Sequence, residues 1–373
     1  MNEQNLRVAL TIEQCWHRVP GGTAVAAIET ARGLAARADV DVIGVAAGHS
    51  QPAPEPWTPP IRVAQLPLPR PALYESWHRL RWPPVQHATG SVEVVHATTF
   101  AIPPKSAPLV VTVHDLAFLR HPAHFTRRGL RLFHRGLQLA KRDATVVLCA
   151  SEATLRECRD AGFERSRLMK VPFGVDITRA AHDDIDRVKR RYGLADEYLL
   201  WTGTIEPRKN LAGLISAFRE LNSDIQLVLA GPQGWNEDLD ARLRGLHDRV
   251  KTLGFVPKEA LAPLYAGAWV FCWPTLLEGF GFPVLEAMAQ GVPVVTSLGT
   301  STEELARDAG VLVDPHDPGS IAAGIRSVLE DEGLARKLRE LGPARAAEYS
   351  WDRTAELTIE AYRRALTSEA RQG

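Results

Sequence analysis

No run of about 18 or more apolar residues occurs in the 373-residue chain, so the sequence offers no membrane-spanning helix. Its start, MNEQNLRVALTIEQ, lacks a basic segment followed by a long apolar stretch and enters a strand-like pattern at once, so no secretory signal is expected. Cysteine is scarce. Cys15, Cys149, Cys158 and Cys272 show no two-residue spacing, and Cys149 and Cys272 lie in apolar runs. That argues against a zinc or disulfide framework and for buried, reduced thiols in a reducing compartment. A G-x-G-x-x-G turn is missing after the first apolar run, where EQCWHRVPGG stands instead, which argues against a hydride-transferring dehydrogenase. No nucleic-acid-binding motif is present, so nucleic acid is not an expected partner.

Short apolar runs are plentiful. LRVALTI, VDVIGVAAG, IRVAQLPLP, VEVVHA, LVVTVHD, ATVVLCAS and LMKVPFG occupy the first half. YLLWTGTI, IQLVLAGP, VKTLGFV, AWVFCWPT, PVVTS and GVLVDP occupy the second. They are rich in Val, Ile and Leu and mostly do not alternate with polar residues, as expected of parallel strands covered on both faces. Helix-like stretches separate them, which indicates α/β architecture. The length suits two domains. We place them at 1–177 and 178–354, with a charged linker near 174–196 and a C-terminal amphipathic helix, about 355–373, that can pack back on the first domain.

Charge balances overall but not locally. Residues 1–176 hold 21 Lys and Arg against 15 Asp and Glu, and the remainder 23 against 29. Residues 62–142 carry 12 basic and 3 acidic side chains, which suits an anionic partner. Within 74–142, Tyr74, Trp77 and Trp82 interleave with Arg79 and Arg81, and RRGLRLFHRGLQLAKRD follows. This pattern fits either the edge of an anionic membrane or a helix with a solvated basic face and a buried apolar one.

In open parallel sheets ligands bind beyond the carboxyl ends of strands. The string TLLEGFGFPVLEAMAQGVPVVTS (275–297) follows the run AWVFCWPT. Gly279 and Gly281 permit a tight turn, Pro283 suits a first helical turn, and the helix start offers free N–H groups to a phosphate. Two carboxylates, Glu278 and Glu286, flank that turn and would accept hydrogen bonds from sugar hydroxyls.

This string resembles the E-x7-E region of retaining glycosyltransferases of family 4, which have the GT-B fold. The resemblance extends to WTGTIEPRKNLAGLISAF (201–218), LVLAGPQGW (227–235), LGFVPKEALAPLYAGA (253–268) and STEELARDAGVLVDP (301–315). PGGTA (20–24), TVHDLAFLRHP (112–122) and VPFGVD (171–176) match more weakly. Thr275 stands where the family often has Ser, which keeps the hydroxyl. The resemblance implies two Rossmann-like domains with parallel sheets facing across a cleft. It also implies a hexosyltransferase using a nucleoside-diphosphate sugar, with a glycan, glycolipid or other lipid-linked hydroxyl as acceptor. Its wording is similar to that of bacterial mannosyltransferases, so mannose from a guanosine donor is the favoured sugar, with glucose from a uridine or adenosine donor as the alternative. The chain would be cytoplasmic, with peripheral membrane contact through 74–142 if the first reading of that segment holds.

The resemblance also assigns roles. Arg208 and Lys209 would stabilise the leaving diphosphate, Glu286 would hold the ribose, and Glu278 with Gly279, Phe280 and Gly281 would hold the transferred sugar. Phe255 and Val256 would meet the base, while Gly203, Val284 and Leu285 would line the donor. Gly21 and Gly22 form a turn after the first strand whose amides can approach phosphate or acceptor. His114, at the end of LVVTVH, would contact the donor sugar near the reacting carbon. No cofactor or metal is expected. Of the Asp-x-Asp pairs Asp39/Asp41, Asp184/Asp186 and Asp238/Asp240, none ends a strand, and the Arg208–Lys209 pair can meet the diphosphate charge instead. Retention by same-face substitution needs no carboxylate nucleophile. A nucleotide-sugar epimerase on the same scaffold is the competing reading.

Overall fold

The computed structural model describes residues 5–17, 20–234 and 239–371. The chain forms two compact units, Met1–Gly174 with Trp351–Gly373, and Val175–Ser350. The first holds strands β1 (Leu6–Thr11), β2 (Val40–Ala46), β3 (Val63–Gln65), β4 (Val94–Ala97), β5 (Leu109–Val113), β6 (Val146–Cys149) and β7 (Leu168–Lys170). The second holds β8 (Tyr198–Thr202), β9 (Gln226–Ala230), β10 (Val250–Gly254), β11 (Val270–Trp273), β12 (Val294–Ser297) and β13 (Val311–Val313). Every one of the apolar runs read from the sequence contains one of these strands. β4, β5, β6, β8 and β11 are buried at every position, because helices cover both faces of their sheets.

The sheet orders are β3-β2-β1-β4-β5-β6-β7 and β10-β9-β8-β11-β12-β13, with parallel pairing throughout. Strand order therefore reverses between β1 and β4 in one unit and between β8 and β11 in the other. The loops leaving these strands diverge, and the crevice they leave is where this architecture takes ligands.

The charged stretch 174–196 is not the open linker its composition suggested. It contains the helix His182–Tyr192, which packs against the helix Lys258–Ala266 inside the second unit. Ile185, Val188 and Tyr192 lie three and four residues apart and form its apolar stripe. Asp183 and Asp184 open the helix and Lys189, Arg190 and Arg191 close it, so its charges complement the dipole. Gly193, at φ +61°, ends it in the left-handed region. High charge density hid a good helix.

Within residues 74–142, two of the side chains singled out in the sequence are used inside the fold. Trp77 is buried and donates from Nε1 to the carbonyl of Pro83 at 2.9 Å. The Arg81 guanidinium donates to the carbonyls of Trp77, Ile102 and Pro103 at 2.8, 3.1 and 2.7 Å and pairs with Asp143 at 2.7 Å. Both side chains brace the fold and are not available to a membrane. Leu80, Trp82, Arg127, Arg128 and Arg131 do remain exposed. Among the described residues no helix is long and apolar enough to cross a membrane. All four cysteines are buried and free.

The C-terminal segment is one helix, Trp351–Ala370, built into the first unit. Its Ala355, Ile359, Tyr362 and Ala365 share a core with Val8, Leu10, Ala31 and Leu34. Gly33 permits the close approach, since a Cβ there would stand 3.0 Å from that of Ala355. A buried polar pin fixes the register. His96, on β4, bonds Tyr362 Oη through Nδ1 and Thr112 Oγ1 through Nε2, both at 2.8 Å. Burial pushes the His96 imidazole down to about 3, so it is neutral at pH 7. Removing the Tyr362 hydroxyl strands one ring nitrogen in the core. Tyr362→Phe should therefore cost about 1–3 kcal/mol, read as a lower denaturant midpoint for the first unit. An unchanged midpoint would mean the pin does not hold the helix.

Candidate active site

The candidate site is assembled from loops at the β8–β11 reversal in the second unit. Leaving β8, Gly203 takes φ +141° and its amide donates to Ala230 O at 2.9 Å. The chain then crosses to Pro207–Lys209, a single 3-10 turn, and to Asn210 at φ +53°. Asn210 organises the neighbourhood. Its Oδ1 caps the helix Leu211–Arg219 by accepting from Gly213 N at 3.2 Å. Its Nδ2 donates to Pro274 O at 2.9 Å and Pro315 O at 2.7 Å, tying this loop to those after β11 and β13.

The loop after β11 is stitched to the same place. Leu276 N and Thr275 Oγ1 donate to Arg208 O at 2.8 and 2.9 Å, which gives the hydroxyl of Thr275 a structural use. Ser301 Oγ lies 2.8 Å from both the Glu278 and Phe280 carbonyl oxygens. Gly281, at φ +115°, starts the helix Phe282–Ala289, and a Cβ there would come within 2.9 Å of Thr302 Cγ2.

These constraints bring Arg208, Lys209 and Glu278 together. Glu278 Oε2 accepts from Arg208 Nη1 at 3.0 Å and also from Lys209 Nζ. Arg208 Nε lies 2.7 Å from Oε1 of the buried Glu206, and Lys209 Nζ stands 4.4 Å over the Trp273 ring. Burial, and then the Arg208 charge, push the Lys209 ammonium down. Burial would raise the Glu278 carboxyl, but Lys209 and Arg208 outweigh it and hold the group below the usual carboxylate range. Sequence reasoning read Glu278 as an acceptor for sugar hydroxyls and missed that it is the partner of both cations.

Glu286 belongs to a second chain of polar groups. Its Oε2 accepts from Tyr265 Oη at 2.8 Å, and that oxygen lies 2.7 Å from Thr202 Oγ1. The Thr202 carbonyl accepts from Trp273 Nε1 at 2.8 Å. Burial raises the Glu286 carboxyl, against the opposing hydrogen bond from Tyr265. Phe255 is 66% exposed, whereas Val256 is buried. The side chains of Val284 and Leu285 are buried, and the Val284 amide donates to Gly281 O at 3.0 Å.

His114 and Gly22 lie in the first unit. Gly21 and Gly22 do not form the expected turn. They open the helix Gly21–Ala35, with Gly21 at φ +62°. His114 directly follows β5, donates from Nε2 to Thr98 O at 2.9 Å, and lies 5.6 Å from the Phe173 ring. Burial lowers its imidazole, partly offset by the Thr98 bond. Beyond β1, Glu13 accepts from Ala47 N at 2.8 Å and from His49 Nε2 at 2.9 Å, and Trp16 stacks on His49 at 4.6 Å. Nothing in the spacing of Glu13 and His49 announced that contact.

Asp39 pairs with Arg363 at 2.8 Å, Asp41 with Arg7 at 3.2 Å and Asp184 with Arg187 at 2.6 Å. Asp238 lies outside the described residues, as does Trp235 at the end of one quoted motif. Among the described residues no group of three His, Cys, Asp or Glu side chains is arranged to hold a metal ion.

Two parallel-sheet units, the second with its polar cluster at a strand-order reversal, define the GT-B class. A solved Anabaena structure, HepE in complex with UDP and glucose, has the same fold at a TM-score of 0.75 and 21% identity, over 95% of this chain and 99% of its own. Residues 20–179 match the model of Glycosyltransferase Family 4, and residues 183–345 that of glycosyl transferases group 1. The O-antigen chain mannosyltransferase B of Escherichia coli is 34% identical over 72% of this chain and 74% of its own length. The serotype-specific mannosyltransferase WbdA of the same organism is 31% identical over 72% of this chain, which spans only 35% of that longer protein. The chain belongs to glycosyltransferase family 4.

Asn210 gives this geometry a test of its own. Asn210→Ala deletes a helix cap and two buried donors, and should destabilise the second unit by about 2–4 kcal/mol. Chemical denaturation measures it, and a loss under about 0.5 kcal/mol, the range of ordinary surface changes, would show that Asn210 does not tie the loops.

Proposed function

We propose that this glycosyltransferase moves mannose, with retention, from a nucleoside-diphosphate donor to a hydroxyl of a growing glycan or lipid-linked acceptor. The observation that carries the reading is the convergence of Arg208 and Lys209 beyond the ends of β8 and β11. When the anomeric C–O bond breaks, negative charge grows on the diphosphate, and two cations already fixed there stabilise it without reorganising. Mannose is favoured because the relatives at 34% and 31% identity are mannosyltransferases. In the same-face mechanism the acceptor oxygen bonds the anomeric carbon, the carbon–phosphate-oxygen bond breaks, and the acceptor proton passes to the departing phosphate. Glu286 would orient the ribose, its carboxylate already positioned by Tyr265, and Phe255 would meet the base. His114 would contact the transferred sugar. The fixed cations make a divalent ion unnecessary in this account. A peripheral contact with anionic membranes falls to Leu80, Trp82, Arg127, Arg128 and Arg131, since Trp77 and Arg81 are committed to the fold.

Transfer from guanosine-diphosphate mannose should persist in excess chelator. Activity restored only by added manganese or magnesium contradicts metal independence, and an isomerised donor formed without acceptor indicates an epimerase. Arg208→Ala and Lys209→Ala should each lower turnover by roughly 100- to 1,000-fold, with folding retained. Near-normal turnover in both variants removes the pair from the reaction.

A further inference from the structure

We propose that Glu278 is an internal competitor for the diphosphate, occupying the Arg208–Lys209 anion site in the donor-free enzyme and reclaiming it to expel the nucleoside diphosphate product. This rests on the diphosphate reading of those two cations. One carboxylate oxygen, Glu278 Oε2, is the shared acceptor of Arg208 Nη1 and Lys209 Nζ. A phosphate oxygen that bridges Arg208 Nη1 and Lys209 Nζ takes the position of that carboxylate oxygen, so carboxylate and phosphate compete there.

The surroundings decide which group yields. The Glu206 side chain is 4% exposed and the Trp273 ring is fully buried, so both stand as fixed walls beside the cations. The Glu278 side chain is 15% exposed and hangs from a turn whose carbonyls are anchored by Ser301. It can swing aside while the backbone stays in place. Glu278 and Glu206 both stand against the two cations, so displacing Glu278 removes one of the carboxylates that balance them and favours an incoming anion. The carboxyl stays ionised near neutrality, because Lys209 and Arg208 hold it below its usual range.

The exchange distinguishes donor from product. An intact donor brings sugar hydroxyls that can donate to the displaced carboxylate and offset its lost ion pairs. The bare nucleoside diphosphate brings none, so the tethered carboxylate competes at high effective concentration. Product is bound weakly relative to donor, and release is assisted.

The test is calorimetric titration of guanosine diphosphate and of inorganic pyrophosphate into the full chain and its variants. Glu278→Gln should bind both at least about tenfold more tightly than the unmodified protein, the worth of a charge-assisted hydrogen bond, while transfer slows and product inhibition deepens. Glu278→Asp, whose shorter side chain loosens the bridge, should shift affinity the same way and serves if the Gln variant does not fold. Unchanged or weaker binding in the folded variants overturns the proposal. Arg208→Ala and Lys209→Ala separate the two layers. If both bind the ligands as well as the unmodified protein does, the diphosphate reading itself fails. If they bind more weakly while Glu278→Gln is not tighter, only the competitor role fails.

Discussion

A single carboxylate oxygen shared by an arginine and a lysine is the constraint around which the second unit is organised. Like charges as close as Arg208 and Lys209 repel, and burial makes this worse by removing water from Lys209. The pair is tenable because Glu278 and Glu206 stand against it and because the Trp273 ring offers its negative face to the ammonium. A buried ion cluster of this kind adds little net stability. What it supplies is two cations already in place, whose cost was met in folding and not in the reaction.

Holding such a cluster requires rigid loops, and the fold provides them cheaply. β8 and β11 are adjacent, yet the helices that follow them diverge, so their loops face each other across the switch point. Asn210, Thr275 and Ser301 then fasten loop to loop by donating to backbone carbonyls across them. The first unit uses the same sheet plan with a different content at its strand ends: Glu13 with His49 beyond β1, and His114 bonded to Thr98 beyond β5. Its C-terminal helix returns after the whole second unit and is locked by the His96–Tyr362 pin, so residues 351–370 complete its core.

Most of the architecture was legible in the sequence because doubly covered strands write themselves as unbroken apolar runs. The loops near the site were legible for a related reason: glycines, a helix-starting proline and a basic pair at strand ends have few other uses together. Less legible were features that depend on tertiary proximity. The bridge from Glu278 to Arg208 and Lys209 spans about seventy residues of chain and exists because β8 neighbours β11, which no local pattern displays. Arg81 read as part of a basic face open to a membrane or to water, because composition cannot separate an exposed guanidinium from one that binds three carbonyls. The helix at 182–192 was hidden by its own charges, although its apolar spacing was present. Asn210 was overlooked beside the more conspicuous Arg-Lys pair, although an asparagine just before an apolar helical run is a common cap.

The central claim is that the Arg208–Lys209 pair receives the diphosphate in the place Glu278 now holds. A crystal structure of the complex with guanosine diphosphate tests this most directly. The account predicts a β-phosphate oxygen within about 3 Å of both the Arg208 guanidinium and Lys209 Nζ, at hydrogen-bonding distance, with the Glu278 carboxylate displaced from the bridge. A diphosphate seated away from both cations, with Glu278 still bridging them, would contradict it.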